Sequence, residues 1–304
     1  MNLLLEQFEN EAIDRIKRFS KIADKLGFDI CLGFSGGKDS QVCYDLCKRA
    51  GIKFKAYYNH CFESGTTRKF IRENYPEVIY RRVVKEGFVR NIQVNHKGLL
   101  PTVQIAYCCA DYKHNKKYVD NCSITGVRRT ESFSRRNRTA LSFRNKTVLR
   151  NNKHLFDDYF EERCQSIGDG SIIALKPIID WSASDVWEYI KKYNIPINPE
   201  YKSGKRIGCI VCPKANFNSN YAALIKYPKL IDSFISAKEK GAPHGDWIIT
   251  ASSENCIENK LYYICRWLNH SFMPFTKKQE RLYEMVREVY EKNKQKKSHK
   301  NLVY

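Results

Sequence analysis

Large apolar residues recur at helical spacing at the start of the chain, where Leu4, Leu5, Phe8, Ile13, Ile16 and Ile22 predict an amphipathic helix over 4–26. The pattern then changes. FDICLGF (28–34) is almost continuously apolar, as a strand covered on both faces would be. SQVCYDLCKRAG (40–51) returns to a helix that closes on Gly51, and KFKAYYNHC (53–61) and EVIYRRVV (77–84) read as further strands. Strand, helix, strand, helix, strand in this order predicts an α/β fold, a parallel sheet flanked by helices on both faces. Ligands of such sheets sit beyond the carboxyl ends of the strands, which is where Ser35–Ser40 falls.

Later strands are expected in SITGVR (123–128) and SIIALKPII (171–179). Between them, residues 133–170 are rich in Arg, Asn and Lys, have weak periodicity and read as an irregular insertion. SASDVWEYIKKYN (182–194) starts with cap residues and becomes a helix that ends before Pro196. From about residue 216 the pattern is mainly helical, and the last stretch is an amphipathic helix fading into a basic tail. The expected organisation is a catalytic domain over 1–215 and a C-terminal helical extension over 216–304.

Composition narrows the class. At 304 residues, 42% hydrophobic and 13% aromatic, the chain has the means to build a sizeable core. No apolar run approaches the ~20 residues that span a bilayer, and the N-terminal segment carries acidic residues and helical spacing where an export signal has a basic start and an apolar centre. A cytoplasmic protein without membrane partners is expected. In a reducing compartment, the 12 cysteines are metal ligands or buried thiols rather than disulfides. Cys31, Cys43, Cys47, Cys122, Cys256 and Cys265 read as small core residues, whereas Cys61 and Cys164 carry no assignment. A formal net charge of +20 attracts polyanions and points to a nucleic-acid partner, although a lysine-rich composition alone gives the same total.

FSGGKDS (34–40) joins a strand to a helix through small residues, which leaves unpaired N–H groups at the positive end of the helix, a setting that suits phosphate. Gly36 and Gly37 allow close approach, Ser35 and Ser40 offer hydroxyls, and Lys38 adds positive charge. Asp39 would be repelled by phosphate, so it either coordinates Mg²⁺ or braces the loop. The spacing differs from that of the longer Walker-type loop. It closely resembles the PP-loop of the ATP-pyrophosphatase superfamily, which implies a Rossmann-like, adenine nucleotide alpha-hydrolase-like fold and the binding of ATP through Ser35, Gly36, Gly37, Lys38, Asp39 and Ser40.

YCCADYK (107–113) and GCIVCP (208–213) offer two cysteine pairs. Two pairs can make a tetrahedral zinc site or hold a four-iron cluster, and the diverging side chains of adjacent cysteines favour the cluster. Together with ITGVRRTES (124–132), LKPIIDWSASDVWEYI (175–190) and IPINPEYKSGKRIGC (195–209), the pairs resemble the iron–sulfur branch of the phosphoadenosine phosphosulfate (PAPS) reductase family, over roughly residues 28–215. By that resemblance Cys108, Cys109, Cys209 and Cys212 are 4Fe–4S ligands and Lys113 tunes the cluster. Arg128, Arg129 and Arg136 face nucleotide or an anionic substrate, while Glu131 and Ser132 orient Arg128 or bind ribose. The alternative for these arginines is a solvated basic loop. Trp181 and Trp187 read as core, and Pro196, Pro199 and Tyr201 as shaping the approach to Cys209.

Two features depart from the sulfonucleotide reductases of that family. Residues 266–304 contain no cysteine to act as the mobile nucleophile, and the phosphate loop is whole rather than degenerate. The resemblance therefore implies an ATP pyrophosphatase that adenylates a substrate in sulfur transfer to nucleic acid, with Lys38, Asp39, Arg128 and Arg129 at the reacting centre and a sulfur donor or partner protein. Alternatives are a reductase of PAPS or adenosine phosphosulfate that releases sulfite, and a non-catalytic nucleic-acid-binding component with a structural metal centre.

Overall fold

The computed structural model describes residues 3–113, 121–144, 146–155, 162–164, 171–203, 207–241, 260–269 and 275–301. Helix α1 (Leu3–Leu26) forms as its periodicity predicts. Its buried stripe is Leu5, Ala12, Ile16, Phe19 and Ala23, whereas Leu4 is 54% exposed. Two of these positions are alanines, which a search for large apolar residues passes over. Each fully buried Ile or Phe in such a stripe contributes roughly 1.5–3 kcal/mol.

Seven strands, β1 (Ile30–Gly33), β2 (Lys55–Asn59), β3 (Ile79–Arg81), β4 (Cys122–Ile124), β5 (Leu141–Phe143), β6 (Glu162–Cys164) and β7 (Ile173–Leu175), form one sheet in the order β3-β2-β1-β4-β7-β5-β6. Pairing is parallel from β3 to β7, with Leu32 opposite both Ala56 and Ile124. β5 then runs antiparallel to β7, and β6 parallel to β5. The stretch expected as an irregular insertion thus extends the sheet. Its strands, LSF and ERC, have three residues each and sit among Arg, Asn and Lys with no apolar run to mark them.

Helices α2 (Lys38–Arg49) and α3 (Gly65–Asn74) connect the first three strands, and Ser64 caps α3 by accepting from the Thr67 amide at 3.2 Å. α2 buries Val42, Cys43, Leu46 and Cys47 completely. Helices α4 (Phe88–Val94), α5 (Tyr107–Tyr112) and α6 (Lys146–Asn152) precede α7 (Ala183–Lys192). Ser182 and Asp185 close a capping box on α7, as its sequence predicts. From β1 the chain proceeds to β2 and β3 on one side and later to β4 and β7 on the other. The carboxyl ends of β1 and β4 therefore face a crevice where the winding reverses.

Contacts divide the chain into two compact units, 1–83 with 111–207 and 84–110 with 208–304. The first holds the sheet. In the second, α8 (Phe217–Lys226), α9 (Lys229–Gly241), α10 (Lys260–Asn269) and α11 (Lys277–Asn301) pack together with α4. Phe88 meets Phe234 edge-on at 6.3 Å, and the Trp267 indole donates to the Pro101 carbonyl at 2.7 Å. Residues 84–110, which sequence order puts in the 1–215 region, thus pack with the C-terminal helices. Among the described residues, no helix is long and apolar enough to cross a membrane.

Candidate functional site

In the first unit a cleft of about 920 Å³ opens beyond β1 and β4, lined by Ser35, Gly37, Lys38, Asp39 and Ser40 of the loop. Local bonds fold that loop on itself. The Ser35 amide donates to Ser40 Oγ at 3.2 Å, the Gly37 amide to Ser35 Oγ at 3.3 Å, and Ser40 Oγ to the Gly37 carbonyl at 2.8 Å. Gly36 has φ +72°, and a Cβ there would lie 2.9 Å from Ile71, so both backbone and space require glycine. Gly126, after β4, passes so close to α2 that a Cβ would meet the Asp39 carbonyl at 2.8 Å.

Asp39 is the electrostatic centre of this wall. Lys38 Nζ donates to both of its carboxylate oxygens, at 2.7 and 2.9 Å, and Arg128 Nε donates at 2.6 Å. Arg128 is only 4% exposed and also donates to Thr130 Oγ1 at 2.9 Å. The Glu131 carboxylate accepts from the Arg128 amide and from Arg135. Arg128, Glu131 and Arg135 all line the cleft. Arg129 and Arg136 are not among its lining residues. Arg129 instead donates to the Arg138 carbonyl and to Asp180, and Arg136 stands 5.2 Å over the ring of Phe133. Ser132 is exposed and bonds Ser134.

Other lining residues come from far along the chain. Trp181 is core, 1% exposed, but Trp187 lines the cleft together with Tyr201 and Lys202. Tyr201 accepts from the Lys38 amide at 2.9 Å and meets Trp187 edge-on at 5.1 Å. Sequence reasoning gave Trp187 a core role and Tyr201 a role near Cys209. No local pattern ties either residue to a loop some 160 positions earlier. Lys113 pairs with Glu63 at 3.8 Å.

The second unit gathers the four cysteines of the two pairs. Cys108 is buried and Cys109 half-buried on α5, while Cys209 and Cys212 are half-buried in the turn before α8. Asn220 of α8 clamps the Cys212 main chain, accepting from its amide and donating to its carbonyl, both at 3.0 Å. The Cys108 thiol is pushed well above the usual thiol range, first by its hydrogen bond with Cys109, then by burial and by the charges of Cys109, Cys209 and Cys212. The other three cysteines of the two pairs thus all act on Cys108. The expected core thiols Cys31, Cys43, Cys47, Cys122 and Cys265 are buried; burial pushes Cys122 up to about 12, and burial first, then Cys47, pushes Cys43 up. Cys61 is buried too, Cys164 lies in β6, and Cys256 lies outside the described residues.

A mainly parallel sheet with a glycine–serine loop at its reversal point defines a doubly wound α/β protein. The chain belongs to the phosphoadenosine phosphosulfate reductase domain family, whose model matches residues 29–215, and the members of that family are enzymes. It is 26% identical over 246 residues to an uncharacterised protein of Methanocaldococcus jannaschii, a match covering 78% of this chain and 54% of that protein. The chain thus spans about half the length of that relative. With sulfate adenylyltransferase subunit 2 of Vibrio vulnificus it shares 27% identity over 219 residues, covering 66% of this chain and 68% of the relative. Among solved structures it is similar to a PAPS reductase from Candida auris (TM-score 0.43, 14% identity, 69% of this chain and 95% of that one). It is also similar to a U34-tRNA thiolase from Methanococcus maripaludis, described with its 4Fe–4S cluster (TM-score 0.35, 14% identity, 89% of this chain and 91% of that one).

Proposed function

We propose that this chain is an ATP pyrophosphatase that adenylates a substrate in sulfur transfer, with nucleic acid as the acceptor. The observation that carries this reading is the loop itself, whole from Ser35 to Ser40 and open to a cleft walled by Lys38, Arg128 and Arg135. ATP would lie with its triphosphate at the N-terminus of α2. An acceptor oxygen attacks the α-phosphorus, the bond from that phosphorus to the bridging oxygen breaks, and pyrophosphate leaves with the electron pair. Loop amides, hydroxyls and Lys38 stabilise the charge that develops on the leaving group. Asp39 already has two cationic partners, which favours its bracing role, and Mg²⁺ would arrive with the triphosphate. Similarity to sulfate adenylyltransferase subunit 2 of Vibrio vulnificus supports adenylyl transfer and a partner subunit.

Cys108, Cys109, Cys209 and Cys212 fit a 4Fe–4S cluster, because burial and the three other cysteines all disfavour the Cys108 thiolate, whose charge a bound metal centre would offset. Bound there, the cluster would supply the iron chemistry of sulfur transfer. Asn220 fixes the main chain of one ligand. A nucleic-acid acceptor is supported by the net charge of +20 and by Phe133, which is 84% exposed beneath the Arg136 guanidinium, as a base-stacking residue would be. Sulfonucleotide reduction is disfavoured at Cys265, which is fully buried with its thiol pushed up by burial.

The test is product analysis of radiolabelled ATP with anaerobically prepared protein. AMP and pyrophosphate are expected, with Lys38→Ala slower by about 10²–10³. Iron content should fall in Cys209→Ser and stay unchanged in Cys47→Ser. ADP with phosphate, or sulfite from PAPS without ATP cleavage, would sink the reading.

A further inference from the structure

Within the phosphate loop, Ser35, Gly37 and Ser40 bond one another across at most five residues, whereas the Lys38 amide bonds a distant side chain. The Lys38 amide is the first of α2, one of the helix-start amides that have no partner within the helix. That amide donates to the hydroxyl of Tyr201, 163 residues later in the chain, at 2.9 Å. A side-chain oxygen thus stands where the helix N-terminus would receive an anion.

The main chain that carries Tyr201 is tied down. Asn198, 0% exposed, donates to the Gly36 carbonyl at 3.1 Å and accepts from the Glu200 amide at 3.1 Å, and Ser64 bonds the Glu200 carboxylate at 2.8 Å. Rotation of the tyrosine side chain is therefore the simplest way to clear the amide. The ring stands at the cleft wall, against the edge of Trp187.

We propose that Tyr201 is a built-in competitor for the phosphate position and sets nucleotide affinity at this loop. The inference rests on the reading of the loop as an ATP site. A phosphate oxygen and the Tyr201 hydroxyl cannot both take the Lys38 amide at hydrogen-bond distance. Phosphate wins because a charge-assisted bond is about twice as strong as a neutral one. The displaced ring then turns away from Trp187.

The test measures the dissociation constants of inorganic pyrophosphate and of Mg²⁺–ATP by titration calorimetry on the parent protein and on Tyr201→Phe, with tryptophan emission followed in parallel. Tyr201→Phe is expected to bind both ligands about 2–10-fold more tightly, the worth of one neutral hydrogen bond no longer competing. Ligand addition should change the emission of the parent, and that change should vanish in Trp187→Phe. A merely structural tyrosine weakens binding when altered, so equal or weaker binding by Tyr201→Phe overturns the inference while leaving the ATP site in place. Absence of binding by both proteins overturns the ATP reading, and this inference with it.

Discussion

His60 couples the first unit to pH. It follows β2, its amide donates to the Arg81 carbonyl at 3.3 Å, and its Nε2 lies 3.4 Å from the Arg68 guanidinium. Burial holds its pKa below the usual 6.5, with Arg68, Arg82 and Arg72 adding to the effect and Glu63 opposing it. The unfolded chain therefore takes up a proton near pH 6.5 that the folded chain resists. His60 contributes stability that is present above that pH and lost as pH falls through the lower, folded value. Urea midpoints should decline with acid over this range, and His60→Gln should decline less steeply; parallel declines would mean that another group carries the effect. The same residue scale explains why the loop was legible and its tyrosine was not. Gly36 and Ser40 act through backbone and hydroxyls at fixed offsets, so their letters carry the geometry. Tyr201 reaches Lys38 only once the sheet has folded.

At the scale of elements, the site depends on how closely β4 and α2 approach. Gly126 leaves no room for a methyl group beside the Asp39 carbonyl, where a Cβ would lie at 2.8 Å, and backbone cannot yield as a flexible side chain can. Gly126→Ala should push the segment carrying Arg128 away from Asp39 and lengthen their 2.6 Å bond. A destabilisation of about 1–3 kcal/mol, typical of overpacking, is expected, together with weaker Mg²⁺–ATP binding in calorimetry. Unchanged melting and affinity would mean that the two elements separate freely. Long or strongly patterned elements were read correctly from sequence: α1, α2, β1 and the Ser182-capped α7. β5 and β6 differ in context: β4 and β7 are as short but sit in apolar runs, whereas LSF and ERC lie in the stretch rich in Arg, Asn and Lys. The grouping of 84–110 with the C-terminal helices was also hidden. It arises from Phe88 on Phe234 and from Trp267 on Pro101, contacts that no local pattern announces.

For the whole molecule, charge and stacking make separable contributions to the proposed acceptor. With 53 basic and 33 acidic residues, the net charge of +20 favours binding to a phosphate backbone through counterion release, and this contribution weakens steeply with salt. Phe133 adds a contribution of a different kind. Its ring is 84% exposed, an arrangement that folding alone does not reward, and stacking on a base releases no counterion. A labelled single-stranded RNA of about twenty nucleotides should therefore bind with an affinity that falls ~100-fold between about 50 and 200 mM salt, as ~5 neutralised phosphates would give. Phe133→Ala should lower affinity about 5–100-fold at every salt concentration and leave the slope unchanged. Phe133→Trp should restore it, since either ring offers a stacking face. Arg136→Ala should act on the slope as well, because it removes a charge. If Phe133→Ala alters the slope, the ring acts by positioning charges rather than by stacking. If binding is absent, or indifferent to salt, the basic surface serves another partner and the acceptor is a small molecule.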